Sequence, residues 1–328
     1  MHTPTQTPSL AGLPIPEMLL APADGDSRTL HERCAGRSSL LVLGGDTALL
    51  QALTRLAPRT LVIALGGAQG DWPFTQRRDD DGTLCQRWLQ ALHASTLALP
   101  LVLNVTPGLR IRQVFAGATA GDLARLEIPP PASVQILQHA APVLCIPEVI
   151  PASLCHALIQ AHDADHHDSG LLRHNNATTS LVADHRIKRR SDHALAAPAL
   201  TERVTTALRQ RVLPLVQQAF TFPVTQLEGY KVVAYQGGEQ GHFALHRDNT
   251  SPDTRHRRLA LSLLLSEDYE GGELVFPEFG ATGSGAAGSD AVGYRPAAGS
   301  AVVFSGSLLH GVRPVTRGRR DVLLTFLW

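Results

Sequence analysis

The sequence predicts two domains of different class: an α/β domain over residues 1–128 and an all-β sandwich or barrel with packing helices over residues 143–328. Three observations predict this. Up to residue 128, short apolar runs alternate with helical stretches, the pattern of a layered sheet with parallel pairs. Residues 129–142 open with Pro129, Pro130 and Pro131 and show no period, so they read as a linker. Beyond residue 220 only short strands and Gly-containing turns follow, as in a sandwich or barrel.

In the first domain, SLLVLG (39–44), TLVIALG (60–66) and LPLVLNV (99–105) are uninterrupted apolar runs of strand length and read as buried strands. DTALLQALTRLA (46–57) is a helix with Asp46 as its N-cap, where a carboxylate accepts from orphan N–H groups. TLCQRWLQALH (83–93) is a second helix, GLRIRQVFAG (108–117) an exposed hairpin arm and TAGDLARLE (119–127) a closing helix. In the second domain, residues 143–163 read as a short strand and then a helix. PALTERVTTALRQRVLPLVQQAF (198–220) reads as one helix kinked at Pro214. LEGYKVVAY, RRLALSLLLS, GELVF, SAVVFSG and DVLLTFLW supply the strands, and residues 280–293 form a loop.

Composition narrows the function. Formal net charge is zero, so bulk electrostatics give no support for a nucleic-acid binder. Cys34, Cys85, Cys145 and Cys155 are scattered without a Cys-x-x-Cys pair, which argues against a zinc knuckle or vicinal redox pair and suits a reducing compartment. The N-terminal residues lack a basic stretch followed by an apolar core, and no apolar run reaches membrane-spanning length. A soluble cytoplasmic protein is expected.

GHFALHRDN (241–249) carries the chemistry. In a strand, residues i and i+2 share a face, so His246 and Asp248 both project to one side. With fifteen histidines in the chain, a His-x-Asp by itself means little. A metal needs a third ligand, and His310, just after the strand at 301–305, is the candidate. Two histidines and one carboxylate on one face of an ion leave positions open, the arrangement of non-haem Fe(II) oxygenases. The open positions take a 2-oxo acid and dioxygen. A far carboxylate then needs a cation, and the planar guanidinium of Arg320 can hold it with two hydrogen bonds. If Val322, Leu324 and Phe326 face the barrel interior, alternation sends Arg320 there and Arg319 away.

These residues lie in a segment, 229–328, that resembles the catalytic core of the 2-oxoglutarate/Fe(II) dioxygenases of the prolyl 4-hydroxylase type. It is carried by YQGGEQGHFALHRDN, RRLALSLLLSEDYEGGELVFPEFG, PAAGSAVVFSGSLLHGVRPVTRG and Arg320. The resemblance extends loosely back to residue 143. It implies a double-stranded β-helix, or jelly roll, with His246, Asp248 and His310 on iron. It also implies Arg320 on the distal carboxylate of 2-oxoglutarate and Tyr235 near the cosubstrate. Where many relatives carry a second tyrosine this sequence has Leu265, so Ser262 is the expected helper of Arg320. The implied cosubstrates are 2-oxoglutarate and dioxygen, with Fe(II) as metal and ascorbate a candidate accessory. Oxidative decarboxylation to succinate and carbon dioxide would drive hydroxylation of a C–H bond. Prolyl peptides, free amino acids and other small metabolites are all open as substrates; no nucleic acid or membrane is expected.

The first domain resembles a thioredoxin or peroxiredoxin-type module, with Pro100 where that fold has a cis-proline before a strand. Gly44, Gly45, Asp46 and Thr47 occupy the place of the redox cysteine, so the resemblance implies a module without thiol chemistry, serving a partner, a substrate or a second copy. Two rival readings follow: a peroxiredoxin-like thiol enzyme with an appended metal-binding barrel, or a metal-binding module without turnover. HDADHHD (162–168) reads as a surface loop, and Arg255, Arg257 and Arg258 as a solvated basic face. Loops 170–192, 249–257 and 280–293 are expected to choose the substrate.

Overall fold

The computed structural model describes residues 10–18, 28–129, 136–137, 139–175, 178–182, 184–280 and 291–328, the side chains of 171–183 excepted. The chain divides into two compact units, Met1–Gln135 and Ile136–Trp328. Among the described residues no helix is long and apolar enough to cross a membrane.

The first unit runs α1 (Leu30–Cys34), β1 (Ser39–Leu43), α2 (Thr47–Thr54), β2 (Leu61–Leu65), β3 (Thr75–Arg77), α3 (Thr83–Ala91), β4 (Leu101–Val105) and β5 (Ile111–Ala116). Its sheet has the order β3-β2-β1-β4-β5, with β1, β2 and β3 parallel and β4 and β5 antiparallel. β1 and β4 are buried throughout because both faces of the sheet are covered. Leu41, Leu43, Ile63 and Leu103 pack with Trp88 and Leu89 of α3, while Leu40, Val42 and Val102 pack with Leu49, Leu50 and Leu53 of α2. Asp46 caps α2 by accepting from the Leu49 N–H at 2.8 Å. The Leu99–Pro100 peptide is cis. The helix expected over 119–127 is a 3₁₀ turn at Ala120–Arg125, closed by a capping box between Thr119 and Asp122.

The second unit opens with β6 (Val143–Ile146), α4 (Ala152–Ala164), β7 (His167–Asp168), the hairpin β8 (Leu171–Asn175) and β9 (Thr178–Val182), β10 (Lys188–Arg189) and β11 (Ser191–Ala194). α5 (Pro198–Arg211) and α6 (Leu213–Phe220) follow. The expected kinked helix is thus two helices. Val212 is the joint between them, and Pro214 lies in the first turn of the second, where its missing N–H costs nothing. Then come β12 (Lys231–Gln236), β13 (His242–His246), β14 (Leu259–Leu264), β15 (Tyr269–Gly271), β16 (Leu274–Phe276), β17 (Val292–Tyr294), β18 (Ala301–Ser305), β19 (His310–Val312) and β20 (Val315–Leu327).

These strands form a larger sheet, β6-β18-β14-β20-β12-β11-β7, and a smaller one, β10-β13-β19-β16-β17. From β12 onward the chain passes back and forth between the two, the winding of a jelly roll. Period-two alternation divides the larger sheet cleanly. Leu259, Leu261, Leu263, Val303, Leu323 and Leu327 pack with residues of α4, α5 and α6. Val233, Tyr235, Ala260, Val302 and Val322 turn the other way and pack with Phe276 and Val312 of the smaller sheet. Residues 281–290 of the expected substrate loop lie outside the described residues, as do 130–135 and 138 of the linker.

Candidate metal centre

Antiparallel pairing of β13 with β19 sets His246 directly opposite His310. A register shift between Phe243 and His246 makes this possible. In a regular strand, residues three apart face opposite sides; with the irregularity both Phe243 and His246 line the same cavity. Their rings stack at 3.7 Å between centroids. Asp248 lies two residues past the end of β13, in a turn rather than on the expected strand. Its N–H donates to the Gly306 carbonyl at 2.9 Å, which brings the carboxylate back toward both histidines.

The donor atoms of His246, Asp248 and His310 all lie within 4.8 Å of one another. His246 Nε2 is 3.5 Å from Asp248 Oδ1, and His310 Nε2 is 3.4 Å from Asp248 Oδ2. His246 Nδ1 bonds the Ala244 carbonyl and His310 Nδ1 the Leu308 carbonyl, both at 2.9 Å. A carbonyl can only accept, so each Nδ1 carries the proton and each Nε2 offers a lone pair to the shared space. Burial holds the His310 imidazole below its usual pKa, against the opposing pull of Asp248. Asp248 Oδ2 is buried without a hydrogen-bond partner among the described residues. Converging lone pairs and an orphaned carboxylate oxygen are what a divalent cation satisfies, so this donor set fits iron.

The cavity beside these residues measures about 510 Å³, within the range of small-ligand sites at roughly 300–1,000 Å³. Arg320 lines it. Its Cα partner across β12 is Tyr235, and its guanidinium carbon sits 5.2 Å from the centre of that ring. Arg320 is 2% exposed, its Nε has no acceptor, and no carboxylate of the described residues comes within salt-bridge distance. Gly272 leaves room for it: a Cβ there would lie 2.9 Å from Arg320 Cδ. Ser262 lines the cavity too, but no hydrogen bond links its hydroxyl to Arg320. The Tyr269 hydroxyl, which nothing in the sequence singled out, is buried without a hydrogen-bond partner among the described residues, and burial raises its pKa against the opposing pull of Arg320. Leu265 packs among the helix-side residues, away from the cavity.

The stretch assigned to a variable loop holds cavity residues as well. Lys188, Arg190 and Asp192 all line the cavity, at the i, i+2, i+4 spacing of one strand face. Arg190 pairs with Asp192 at 2.8 Å and donates to the Tyr235 hydroxyl at 3.0 Å. No sequence signal marked them, since Lys188 to His193 are all polar; strand pairing is what turns alternate residues inward. His162 was also misread. It belongs to the last turn of α4, is 1% exposed, and bonds Ser191 and Arg319, because helix α4 continues to Ala164 and packs it down. Arg257 is no free solvated cation: it pairs with Glu228 at 2.7 Å and covers Phe326. Asn249 Nδ2 donates to the Ser307 hydroxyl at 2.7 Å and ties the turn after β13 to the segment before β19.

Residues 230–328 match the 2OG-Fe(II) oxygenase superfamily. A PKHD-type hydroxylase of Saccharophagus degradans is 38% identical over 102 residues, covering 29% of this chain and 39% of that protein. A PKHD-type hydroxylase of Pseudomonas putida is 31% identical over 191 residues, covering 54% of this chain and 71% of that protein. The solved prolyl-4-hydroxylase of Pseudomonas putida aligns with 58% of this chain and 92% of its own, at 20% identity and a TM-score of 0.41. The chain spans less than half the length of the first of these relatives and over two thirds of the second. With a relative 31% identical and covered over 71% of its length, and a superfamily match over the strands that hold the candidate ligands, the chain belongs to the 2OG-Fe(II) oxygenase superfamily.

Proposed function

We propose that the second unit is an Fe(II)- and 2-oxoglutarate-dependent hydroxylase. One observation carries the reading: a His246–Asp248–His310 donor set with both Nε2 atoms turned inward shares a cavity with a buried Arg320 that lacks a carboxylate partner among the described residues. Two opposite unmet demands, one for a cation and one for an anion, suit a metal and a dicarboxylate together. Family membership supplies the identity of both.

Iron would be held by His246 Nε2, His310 Nε2 and an Asp248 oxygen. When bound, it supplies dioxygen activation and the oxidative decarboxylation that no side chain can perform. The Nδ1 bonds to Ala244 and Leu308 keep both imidazoles in the ligating tautomer. Arg320 orients 2-oxoglutarate by its distal carboxylate. Tyr235 holds the Arg320 guanidinium against its ring and, with its oxygen engaged by Arg190, keeps its own proton for a ligand. Phe243, Leu274, Phe304 and Val312 line the cavity and keep bulk water from it. Succinate and carbon dioxide would leave, with hydroxyl added to a C–H bond of a peptidyl, possible prolyl, or small-molecule substrate.

The thiol-enzyme rival loses support. Cys34, Cys85 and Cys155 are buried, which raises their thiols, Cys85 to about 12 and Cys155 to about 11, and disfavours thiolate at neutral pH. Gly44 and Gly45 follow β1 at positive φ, where a redox thiol would be needed. We read the first unit as a thioredoxin-like module without redox chemistry.

The test needs no primary substrate. Fe(II) is added to the protein without oxygen and 2-oxoglutarate is titrated while the visible spectrum is recorded. A saturable charge-transfer band, missing in His310→Ala, is expected. Bound iron without that band would leave a metal-binding module and overturn the hydroxylase reading.

A further inference from the structure

We propose that Lys188 anchors a carboxylate of the primary substrate, and that the molecule hydroxylated here is a small anion of amino-acid size. The proposal rests on the hydroxylase reading above.

The cavity's cations differ in one respect. Arg190 is neutralised by Asp192 at 2.8 Å, Arg257 by Glu228 at 2.7 Å and Arg247 by Glu278 at 2.7 Å. Lys231 is exposed and needs no partner. Arg320 and Lys188 remain. Lys188 is 7% exposed, and no carboxylate of the described residues reaches salt-bridge distance. Asp192, already paired with Arg190, and Asp168 attract it only from farther off, against the repulsion of Arg190. Its ammonium donates to the Gly170 carbonyl and lies 5.3 Å from the centre of the Phe243 ring. A buried charge without a counter-charge is costly, and a cavity wall is where an incoming anion can relieve that cost.

Placement separates this cation from the one assigned to 2-oxoglutarate. Arg320 lies on one side of Tyr235, and Arg190 touches both the Tyr235 ring, at 5.7 Å, and the Phe243 ring, at 5.4 Å. Lys188 lies beyond, on Phe243, and that ring stacks on His246 at 3.7 Å. The ammonium is therefore one aromatic ring away from a candidate iron ligand. Lys188 and the candidate ligands line one cavity, so a carboxylate on Lys188 and a C–H bond presented to the metal can belong to one small molecule. Burial pushes Lys188 down to about 8, so the ammonium persists at neutral pH.

The test uses a panel of the twenty L-amino acids and their N-acetyl derivatives, each as free acid and as carboxamide, with succinate release as readout. At least one acid is expected to quicken turnover, and its carboxamide to do so at least tenfold less. Lys188→Met should raise KM for that acid at least tenfold while the KM for 2-oxoglutarate stays in place, and Lys188→Arg should restore part of the loss. A carboxamide that works as well as its acid, a panel with no active acid, or an unchanged KM in a folded Lys188→Met would overturn the proposal. So would a raised 2-oxoglutarate KM, which would place Lys188 in the cosubstrate site. The charge-transfer band recorded on the same preparation separates the cases: if it forms and the panel fails, this proposal alone falls; if it never forms, the hydroxylase reading falls as well.

Discussion

Replacing Arg320 with Met isolates the cosubstrate anchor. Met keeps an unbranched stem against Gly272 and the Tyr235 ring, so packing is largely preserved while the charge is lost. Hydrogen bonds to charged groups contribute about 1.5–3 kcal/mol each. At about 1.4 kcal/mol per factor of ten, losing one raises the 2-oxoglutarate Kd roughly 10- to 150-fold. Near-complete burial of Arg320 favours the upper part of that range. Iron affinity should barely move, because the ligands belong to β13, the turn after it and β19, whereas Arg320 belongs to β20 in the other sheet. Anaerobic titrations of iron, and of 2-oxoglutarate at saturating iron, measure the two constants separately. The unliganded variant should melt no lower than the parent, since it no longer buries an uncompensated guanidinium. An unchanged 2-oxoglutarate Kd, or equal losses for iron and cosubstrate, would refute this reasoning.

Three further outcomes are expected. Asp248→Ala should abolish turnover and weaken iron binding while circular dichroism stays native, because the lost carboxylate oxygen bonds nothing else in the fold. Gly272→Ala should weaken 2-oxoglutarate binding without touching it: its φ is +67°, and the new methyl would press on Arg320 Cδ and Val315 Cγ2, both at 2.9 Å, at a stability cost of about 1–3 kcal/mol by thermal unfolding. Lys188→Met should raise the melting temperature at pH 7, and the gain should shrink as pH rises. The folded-state pKa, about 8, lies below the ordinary 10.5. Burial of the ammonium therefore opposes folding fully below pH 8, and this is relieved between pH 8 and 10.5 as the folded protein sheds the proton first. Equal melting temperatures for the two proteins at pH 7 would count against a buried, uncompensated ammonium.

What the sequence made legible follows from what can be read one strand at a time. The convergence of His246, Asp248 and His310 was legible because so few residue types hold iron and because the spacing repeats a known pattern. The inward direction of Arg320 was legible through parity with Val322, Leu324 and Phe326, since β20 runs straight through all four positions. The same parity argument gave the right neighbours for Asp248 by a wrong route, as the residue lies in a turn held by Gly306. His246 depends on an irregularity that alternation cannot foresee: strict parity from Phe243 would have aimed it away.

The second cation of the cavity was illegible for a related reason. Lys188 lies on a strand of two residues, too short to show a period, and faces inward only because Phe243 pairs with it from β13. Its charge gave no hint either, since IKRR lies in the stretch 170–192 expected to be a substrate-choosing loop, and only the structure shows Arg189 bonding the Glu239 carbonyl and Arg190 meeting Asp192. Residue types announced the candidate metal centre whatever elements carry them, His310 on a strand of three residues and Asp248 in a turn. A lysine names no ligand by its type, so the candidate substrate anchor needed the sheet.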